Sequence, residues 1–211
     1  MLASDLPPGV VLRRGFLDAA AQEALAREIR EIVTRAPLFV SVMPKTGAPM
    51  SVRMTNCGSL GWMSDKERGY RYEPRHPVTG EPWPAIPKVL LDAWGMLADC
   101  PAPPEACLIN AYGPEARMGL HQDRDEKELS APIVSFSLGA DCLFRIGGLK
   151  RGGATVPLVL SSGDVLILGG EARMRHHGVD RILPTLAPPN VLQLPAGAVR
   201  VNLTLRRVNG A

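Results

Sequence analysis

The sequence has few of the features that mark secreted or membrane-spanning proteins. Its 211 residues include only four cysteines, and no two of them form a Cys-x-x-Cys pair. No apolar run approaches the roughly 20 residues that a membrane-spanning helix needs, and Asp5, Pro7 and Pro8 interrupt any apolar run near the first residue. We therefore expect reduced thiols in a soluble, cytoplasmic protein that lacks a secretory signal and has no membrane partner.

Strong net charge is also lacking, since the formal charge is +3 and the pI is about 8.8. The distribution of charge is more informative, because basic residues cluster between Lys45 and Arg75 and are interleaved with Trp62, Tyr70 and Tyr72. This mixture is typical of surfaces that hold phosphates and stack bases. A solvated loop with long basic side chains would give the same pattern.

Two helical patterns precede a series of short strands. The first covers residues 18–35, with Asp18 as a possible cap and Pro37 just past the end, and the second runs from near Pro87 to before Pro101. The residues between them, 40–84, are rich in Gly, Pro, Met and charge. A long irregular connection of this kind is often a functional lid.

From Glu105 onward the sequence predicts strands separated by turn residues, at 106–112, 133–138, 142–146, 156–160, 165–168 and 199–208. We expect Gly139 and Ala140 to join two of them as a tight hairpin. Many antiparallel strands without intervening helices predict a mainly β (α+β) sandwich or jelly roll, with the two helices buttressing one sheet.

The last predicted strand has one fully polar face. Val201, Leu203 and Leu205 alternate with polar neighbours, which are Arg200, Asn202, Thr204 and Arg206. The polar face could be the wet outer side of an antiparallel sheet. Alternatively it points into a barrel mouth, where the two guanidiniums would need an anionic guest such as a dicarboxylate.

A possible metal site begins at His121 and Asp123, whose side chains project to the same side of an extended backbone. A distant imidazole would complete a set of two histidines and one carboxylate, which binds Fe(II) on one face and leaves the other open. His176 and His177 are both available, and spacing does not choose between them.

Together these motifs resemble the AlkB family of iron(II)- and 2-oxoglutarate-dependent dioxygenases. The resemblance rests on Asn110-Ala111-Tyr112, His121-Gln122-Asp123, Gly170-Glu171-Ala172-Arg173, His177-Gly178 and the run from Arg200 to Arg206. It extends through Met54 to Gly58, Leu60-Gly61-Trp62, Cys107 to Asn110, Ala131 to Ser135 and Phe144 to Arg151, so it covers most of the chain after about residue 40.

The resemblance implies a double-stranded β-helix with iron held by His121, Asp123 and His177. Here His177 is preferred because the ligand immediately precedes Gly178. It further implies that 2-oxoglutarate and O2 are cosubstrates, and that Arg200 binds the carboxylate far from iron while Arg206 supports the chelating end. The whole implied 2-oxoglutarate pocket is Asn110, Tyr112, Arg200, Asn202, Thr204 and Arg206.

The resemblance also implies a nucleotide-recognition lid at about 40–84 within an N-terminal extension, 1–104, and a catalytic core at 105–211, all in one structural unit. By the same resemblance, Trp62 and His121 would lie on opposite faces of an extruded base, Tyr70 near a phosphate and Asp125 near the exocyclic amino group. Without it, Asp125 and Glu126 would read as an ordinary acidic turn. The implied substrate contacts are Met54, Trp62, Tyr70, Leu108, Asp125 and Arg151.

The implied reaction is oxidative demethylation of N1-methyladenine and N3-methylcytosine in DNA, preferably single-stranded, by a monomer that releases formaldehyde, succinate and CO2. Leu168 stands where the family pattern has a larger aromatic residue, so we expect a roomier pocket. The alternatives are the same chemistry on RNA, including transfer RNA, or on a protein side chain, a non-catalytic nucleic-acid binding module, and a cupin-type metal protein without 2-oxoglutarate dependence.

Overall fold

Two antiparallel sheets pack face to face as a jelly roll in the structure, a computed structural model that describes residues 6–184 and 192–210. The elements in chain order are β1 (Val10–Arg13), α1 (Ala19–Arg35), β2 (Arg53–Gly58), β3 (Gly61–Asp65), β4 (Gly69–Glu73), α2 (Lys88–Leu97), β5 (Ala106–Tyr112), β6 (Met118–His121), β7 (Ile133–Gly139), β8 (Cys142–Ile146), β9 (Val156–Leu160), β10 (Val165–Leu168), β11 (His177–Ile182) and β12 (Arg200–Arg206).

The larger sheet has the order β1-β10-β7-β12-β5-β2, and the smaller sheet has the order β6-β11-β8-β9. A buried cluster between the sheets includes Ile133 and Leu166 from the larger sheet and Phe144 and Leu158 from the smaller one. Strands β3 and β4 form a separate two-stranded hairpin. The jelly-roll fold predicted from the sequence is confirmed.

The two helices cover the outer face of the larger sheet. Helix α1 begins after Asp18, whose Oδ1 accepts the Ala21 N–H at 2.8 Å, as the sequence predicted. Its buried Leu25 and Ile29 share one apolar cluster with Leu203 of β12 and with α2. The predicted buttressing role of both helices is therefore confirmed. None of the helices in the described ranges is long and apolar enough to cross a bilayer.

The N-terminal part of the chain does more than supply helices and a lid. Strand β1 pairs with β10 and β2 pairs with β5, so both extend the larger sheet at its edges. The prediction that 40–84 is irregular is wrong for β2, β3 and β4. Residues Met54 to Cys57 of β2 are all buried, so the alternation that identifies a half-exposed strand is missing.

The turn at Gly139 also differs from the prediction. Strand β7 lies in the larger sheet and β8 in the smaller one, so Gly139 and Ala140 carry the chain between sheets and do not close a hairpin. Gly139 has φ +86°, and a Cβ placed there would lie 2.4 Å from the Val199 carbonyl oxygen. Only glycine fits this crossing without strain.

Replacing Gly139 with alanine should therefore lower the free energy of unfolding by about 2 kcal/mol or more, because a left-handed φ and a backbone clash combine. Chemical denaturation measures the change. The matched control is Gly95→Ala in α2, where nothing lies within 4 Å of the added Cβ. This control substitution should raise the free energy of unfolding by up to about 1 kcal/mol. Equal midpoints for Gly139→Ala and the unaltered protein would contradict this account of the turn.

Candidate metal centre and ligand cavity

Neighbouring strands of the smaller sheet bring two imidazoles together. His121 at the end of β6 is the register partner of His177 at the start of β11, and their ring centroids are 4.7 Å apart. Asp123 follows two residues after β6, and its Oδ1 and Oδ2 lie 3.5 Å from His121 Nε2 and 3.6 Å from His177 Nε2. The three ligand atoms lie within 4.8 Å of one another.

Backbone carbonyls set the tautomer of both histidines. His121 Nδ1 is 2.9 Å from the Gly119 oxygen, and His177 Nδ1 is 3.0 Å from the Arg175 oxygen. Because a carbonyl only accepts, each Nδ1 carries the hydrogen and each Nε2 presents its lone pair. Two imidazole nitrogens and one carboxylate are the donor set that non-haem Fe(II) oxygenases use.

The choice between the two adjacent histidines is resolved by their contacts. His177 is buried within the metal-ligand cluster, whereas the His176 ring turns to the Gly148 carbonyl, with Nδ1 at 3.1 Å. His176 still borders the same cavity. The preference for His177 therefore agrees with the geometry, and spacing alone could not have supplied it.

Asp123 is kept ionised by a buried guanidinium. Burial alone would raise the pKa of Asp123, but Arg206 Nη2 lies 2.8 Å from its Oδ2, and this guanidinium holds that pKa well below its usual range. An ionised carboxylate is the form that binds a metal. Arg206 therefore supports the candidate metal site, a role that the sequence did not predict for it.

Arg173 fixes the backbone that carries Asp123, a role the sequence did not reveal. Its guanidinium is almost completely buried and donates to the carbonyls of Asp123 at 2.6 Å and Ala131 at 2.9 Å, and to Glu126 Oε2 at 3.1 Å. Gln122 adds a further restraint by donating to the Met174 carbonyl at 2.6 Å. The only sequence signal for Arg173 was its place in a family-like motif.

The polar face of β12 points into the cavity between the sheets, which excludes the wet-outer-face alternative. Arg200 is 1% exposed and donates to the Ala140 carbonyl at 2.8 Å and to Ser137 Oγ at 2.7 Å. Among the described residues Arg200 donates only to neutral acceptors, including the Leu160 carbonyl at 3.3 Å, and its Nε has no hydrogen-bond partner. A buried cation without an anion is costly, so this end of the cavity suits an acidic ligand.

The polar side chains beside Arg200 differ in whether their hydrogen bonds are satisfied. Asn110 Oδ1 is buried without a hydrogen-bond partner, whereas Asn202 donates to Ser135 Oγ at 2.6 Å and accepts from Thr204 at 2.8 Å. Burial raises the pKa of Tyr112, so its hydroxyl stays neutral. The unpaired Arg200 Nε–H is a donor that fits a carboxylate of a small dicarboxylate such as 2-oxoglutarate, whereas Asn110 Oδ1 is an acceptor and needs a donor.

All the residues assigned from the sequence to metal, 2-oxoglutarate and base contacts border one cavity of about 1380 Å³. Met54 and Leu108 lie deep in its wall, whereas Tyr70 and Arg151 are exposed at its rim. Leu168 is buried and also lines the cavity. The complete set is His121, Asp123, His177, Asn110, Tyr112, Arg200, Asn202, Thr204, Arg206, Met54, Trp62, Tyr70, Leu108, Asp125 and Arg151.

Trp62 is held from three sides. The Asn56 side chain bonds both the N–H and the carbonyl of Trp62 at 3.0 Å, and the indole Nε1 donates to Asp125 Oδ2 at 2.8 Å. The Tyr70 ring stacks on the indole, with centroids 5.6 Å apart and planes at 21°. One face of Trp62 is therefore covered by Tyr70, and Asp125 orients Trp62 in addition to any contact with a base.

Some of the basic side chains between Lys45 and Arg75, the segment predicted to form a lid, are already paired with carboxylates. Arg71 pairs with Asp65 at 2.5 Å and with Glu73 at 2.8 Å, and Arg68 pairs with Glu73 at 2.5 Å. The exposed basic side chains that line the cavity are instead Lys45, Arg117, Arg124, Lys150 and Arg151. Cationic groups therefore surround the mouth from both sides.

Two further residues of the site, Glu126 and Tyr72, were not predicted from the sequence. Glu126, which resembled an acidic turn residue, is 5% exposed and accepts a short hydrogen bond from the Tyr72 hydroxyl. Arg206 Nη1 donates to the same hydroxyl at 3.1 Å. Burial raises the pKa of Tyr72 above its usual value, so the phenol keeps its proton and donates to Glu126.

Comparison with known proteins defines the class that this fold and site represent. The model of the 2OG-Fe(II) oxygenase superfamily matches residues 9–206. The protein is thus an iron(II)- and 2-oxoglutarate-dependent dioxygenase with a jelly-roll fold, and Fe(II), 2-oxoglutarate and O2 are the requirements of that class.

Individual relatives show to which family within this superfamily the chain belongs. The chain is 50% identical over 204 residues to an alpha-ketoglutarate-dependent dioxygenase AlkB homolog of Caulobacter vibrioides, covering 97% of this chain and 90% of that protein. It is 42% identical over 202 residues to alpha-ketoglutarate-dependent dioxygenase AlkB of Escherichia coli, covering 94% and 89%. The solved structure of OsALKBH1 superposes with a TM-score of 0.80 at 32% identity, covering 96% of this chain and 98% of that one. The chain belongs to the AlkB family.

Arg173 provides a test of the candidate metal centre. Lysine keeps the charge but cannot make the three directed contacts, so Arg173→Lys should lower the free energy of unfolding by about 2–4 kcal/mol. Chemical denaturation of the metal-free protein measures this. The exposed Arg124, in the loop after β6 that Arg173 contacts, supplies the control, since Arg124→Lys should change stability by less than about 0.5 kcal/mol. Equal effects of the two substitutions would contradict the role given to Arg173.

Proposed function

We propose that the protein oxidatively demethylates N-alkylated bases, including N1-methyladenine and N3-methylcytosine, in DNA and preferably in single strands. One observation carries this proposal. A single cavity combines the His121, Asp123 and His177 cluster, the buried Arg200 without a carboxylate partner, and a mouth lined by an exposed aromatic residue and basic residues. A metal, a dicarboxylate and a nucleotide can therefore be bound side by side.

The inner half of the cavity would hold the cofactors. His121, Asp123 and His177 would bind Fe(II), Arg200 would take the 2-oxoglutarate carboxylate far from the metal, and Arg206 would support the near end through Asp123. When bound, iron, 2-oxoglutarate and O2 supply the oxidation of an N-methyl carbon, with succinate and CO2 as co-products. The hydroxymethyl group then leaves as formaldehyde. The protein's contribution is orientation and exclusion of water.

The outer half would hold the base. A base must leave its stack to reach the metal centre, and a methyl group on the pairing edge lowers that cost because it weakens pairing. The face of Trp62 that Tyr70 leaves free would stack on the base, and His121 would lie on the other side. Asp125, anchored to Trp62, would favour the positive charge that both methylated bases carry.

Formaldehyde release from oligonucleotides that carry a single N1-methyladenine or N3-methylcytosine tests the proposal. We expect release only with Fe(II) and 2-oxoglutarate, more from single-stranded than from duplex DNA, and none with Asp123→Ala. RNA of the same sequence is assayed in parallel, because higher release from RNA would reassign the substrate. No release from any of these nucleic acids, or undiminished release by Asp123→Ala, would contradict the proposal.

The salt dependence of binding tests the phosphate contacts. Affinity for a methylated single strand should fall steeply with salt, with about 0.7 units of logarithmic slope for each phosphate contact. Replacing Lys150 and Arg151 with glutamine should reduce the magnitude of this salt-dependence slope by the amount expected for about two phosphate contacts. The control is Arg68→Gln, since Arg68 is already paired with Glu73 and should leave the slope unchanged. A flat salt dependence in the unaltered protein would exclude the basic mouth as a phosphate surface.

A further inference from the structure

The β3–β4 hairpin of the lid contacts the metal-binding loop at two adjacent carboxylates. Trp62 in β3 is the register partner of Tyr72 in β4, so both side chains extend from the same side of the hairpin. The Trp62 indole donates to Asp125, and the Tyr72 hydroxyl donates to Glu126. The hairpin is therefore fastened to the loop that also carries Asp123.

The two attachment points differ in burial. Asp125 is exposed to solvent, so water can replace the Trp62 contact when it is lost. Glu126 is 5% exposed, and its other carboxylate oxygen is occupied by Arg173. Loss of the Tyr72 hydroxyl would leave Glu126 Oε1 with only its longer ion pair to Arg206 Nη1 at 3.5 Å, so a buried acceptor would lose its hydrogen-bond donor, which is the more costly event.

The Tyr72 contact also leads to a metal ligand. Arg206 Nη1 donates to the Tyr72 hydroxyl at 3.1 Å, and Nη2 of the same guanidinium donates to Asp123 Oδ2 at 2.8 Å. A guanidinium is planar and rigid, so its two ends cannot move independently. A displacement of Tyr72 therefore alters the group that orients the Asp123 carboxylate.

We propose that Tyr72 is a positioning residue that fastens the lid hairpin to the metal-binding loop and, through Arg206, couples the seating of the hairpin to the orientation of Asp123. The coupling rests on the proposed function in one respect, which is that Asp123 is a metal ligand. Because Trp62 lies opposite Tyr72, a base that binds on Trp62 acts on the same hairpin. Base binding and metal binding are then linked, and each changes the affinity for the other by the same factor.

Hydrogen exchange of the metal-free protein tests the fastening without any substrate. Tyr72→Phe removes only the hydroxyl, so the amides of residues 61–73 should exchange about tenfold faster or more, since a hydrogen bond to a charged group is lost. Tyr70→Phe is the matched control in the same strand. Its hydroxyl has only a weak contact, 3.9 Å from Met43 Sδ, and exchange should not change. Unchanged exchange in Tyr72→Phe would contradict the proposal that the Tyr72 hydroxyl holds the hairpin on the metal-binding loop.

Binding of Mn(II), followed by calorimetry on the same variants without 2-oxoglutarate or nucleic acid, tests the coupling. Tyr72→Phe should bind Mn(II) several-fold more weakly, and Tyr70→Phe should bind it as the unaltered protein does. Faster exchange with unchanged Mn(II) affinity would overturn the coupling to Asp123.

A second variant guards against a failure of Tyr72→Phe to fold. Glu126→Gln keeps an acceptor for Tyr72 but removes the charge that pairs with Arg173 and Arg206, so it should shift exchange and Mn(II) affinity in the same directions, by factors at least as large. No shift in Glu126→Gln would overturn the proposal. None of these measurements uses a methylated base, so they stand whether or not the demethylation assay succeeds.

Discussion

Strand β12 carries two guanidinium groups away from solvent, and each of these buried charges needs an anion close by. Arg206 is met by Asp123 and Glu126, and Arg173 is met by Glu126, so two acids and two bases balance one another beside the metal cluster. Arg200 has no such partner among the described residues. The chain thus supplies an anion at the Arg206 end of the strand and none at the Arg200 end, which is the end that we propose binds 2-oxoglutarate.

The buried charges also explain how the parts of the site depend on one another. Asp123 is at once a candidate metal ligand, the partner of Arg206 and, through its carbonyl, an acceptor for Arg173. Arg206 continues to Tyr72 in the lid. The candidate metal ligand Asp123, Arg206 of β12 and Tyr72 of the β3–β4 hairpin are therefore connected by contacts within one buried network, and displacing one of them leaves a charge or a hydrogen-bonding group of another unsatisfied.

Many of the strands and helices could be predicted because the sequence patterns that identify them lie within a few neighbouring residues. The alternation of Val201, Leu203 and Leu205 with polar residues identified β12, and Asp18 marked the start of α1. Strands such as β2 were missed because both of their faces are buried. Glu126 and Tyr72 were missed for a different reason, since they are 54 residues apart and Arg206 lies 134 residues from Tyr72. Such contacts arise from the packing of the lid on the barrel, and no local pattern encodes them.

We propose that the distal carboxylate of 2-oxoglutarate forms the missing ion pair with Arg200. Calorimetric titration of the Mn(II)-loaded protein with 2-oxoglutarate and with 2-oxobutyrate, which lacks that carboxylate, tests it directly. A charge-assisted contact predicts that 2-oxoglutarate binds about 10- to 100-fold more tightly, and that Arg200→Lys reduces this ratio several-fold while changing the affinity for 2-oxobutyrate little. An equal ratio in the variant and the unaltered protein would contradict the account.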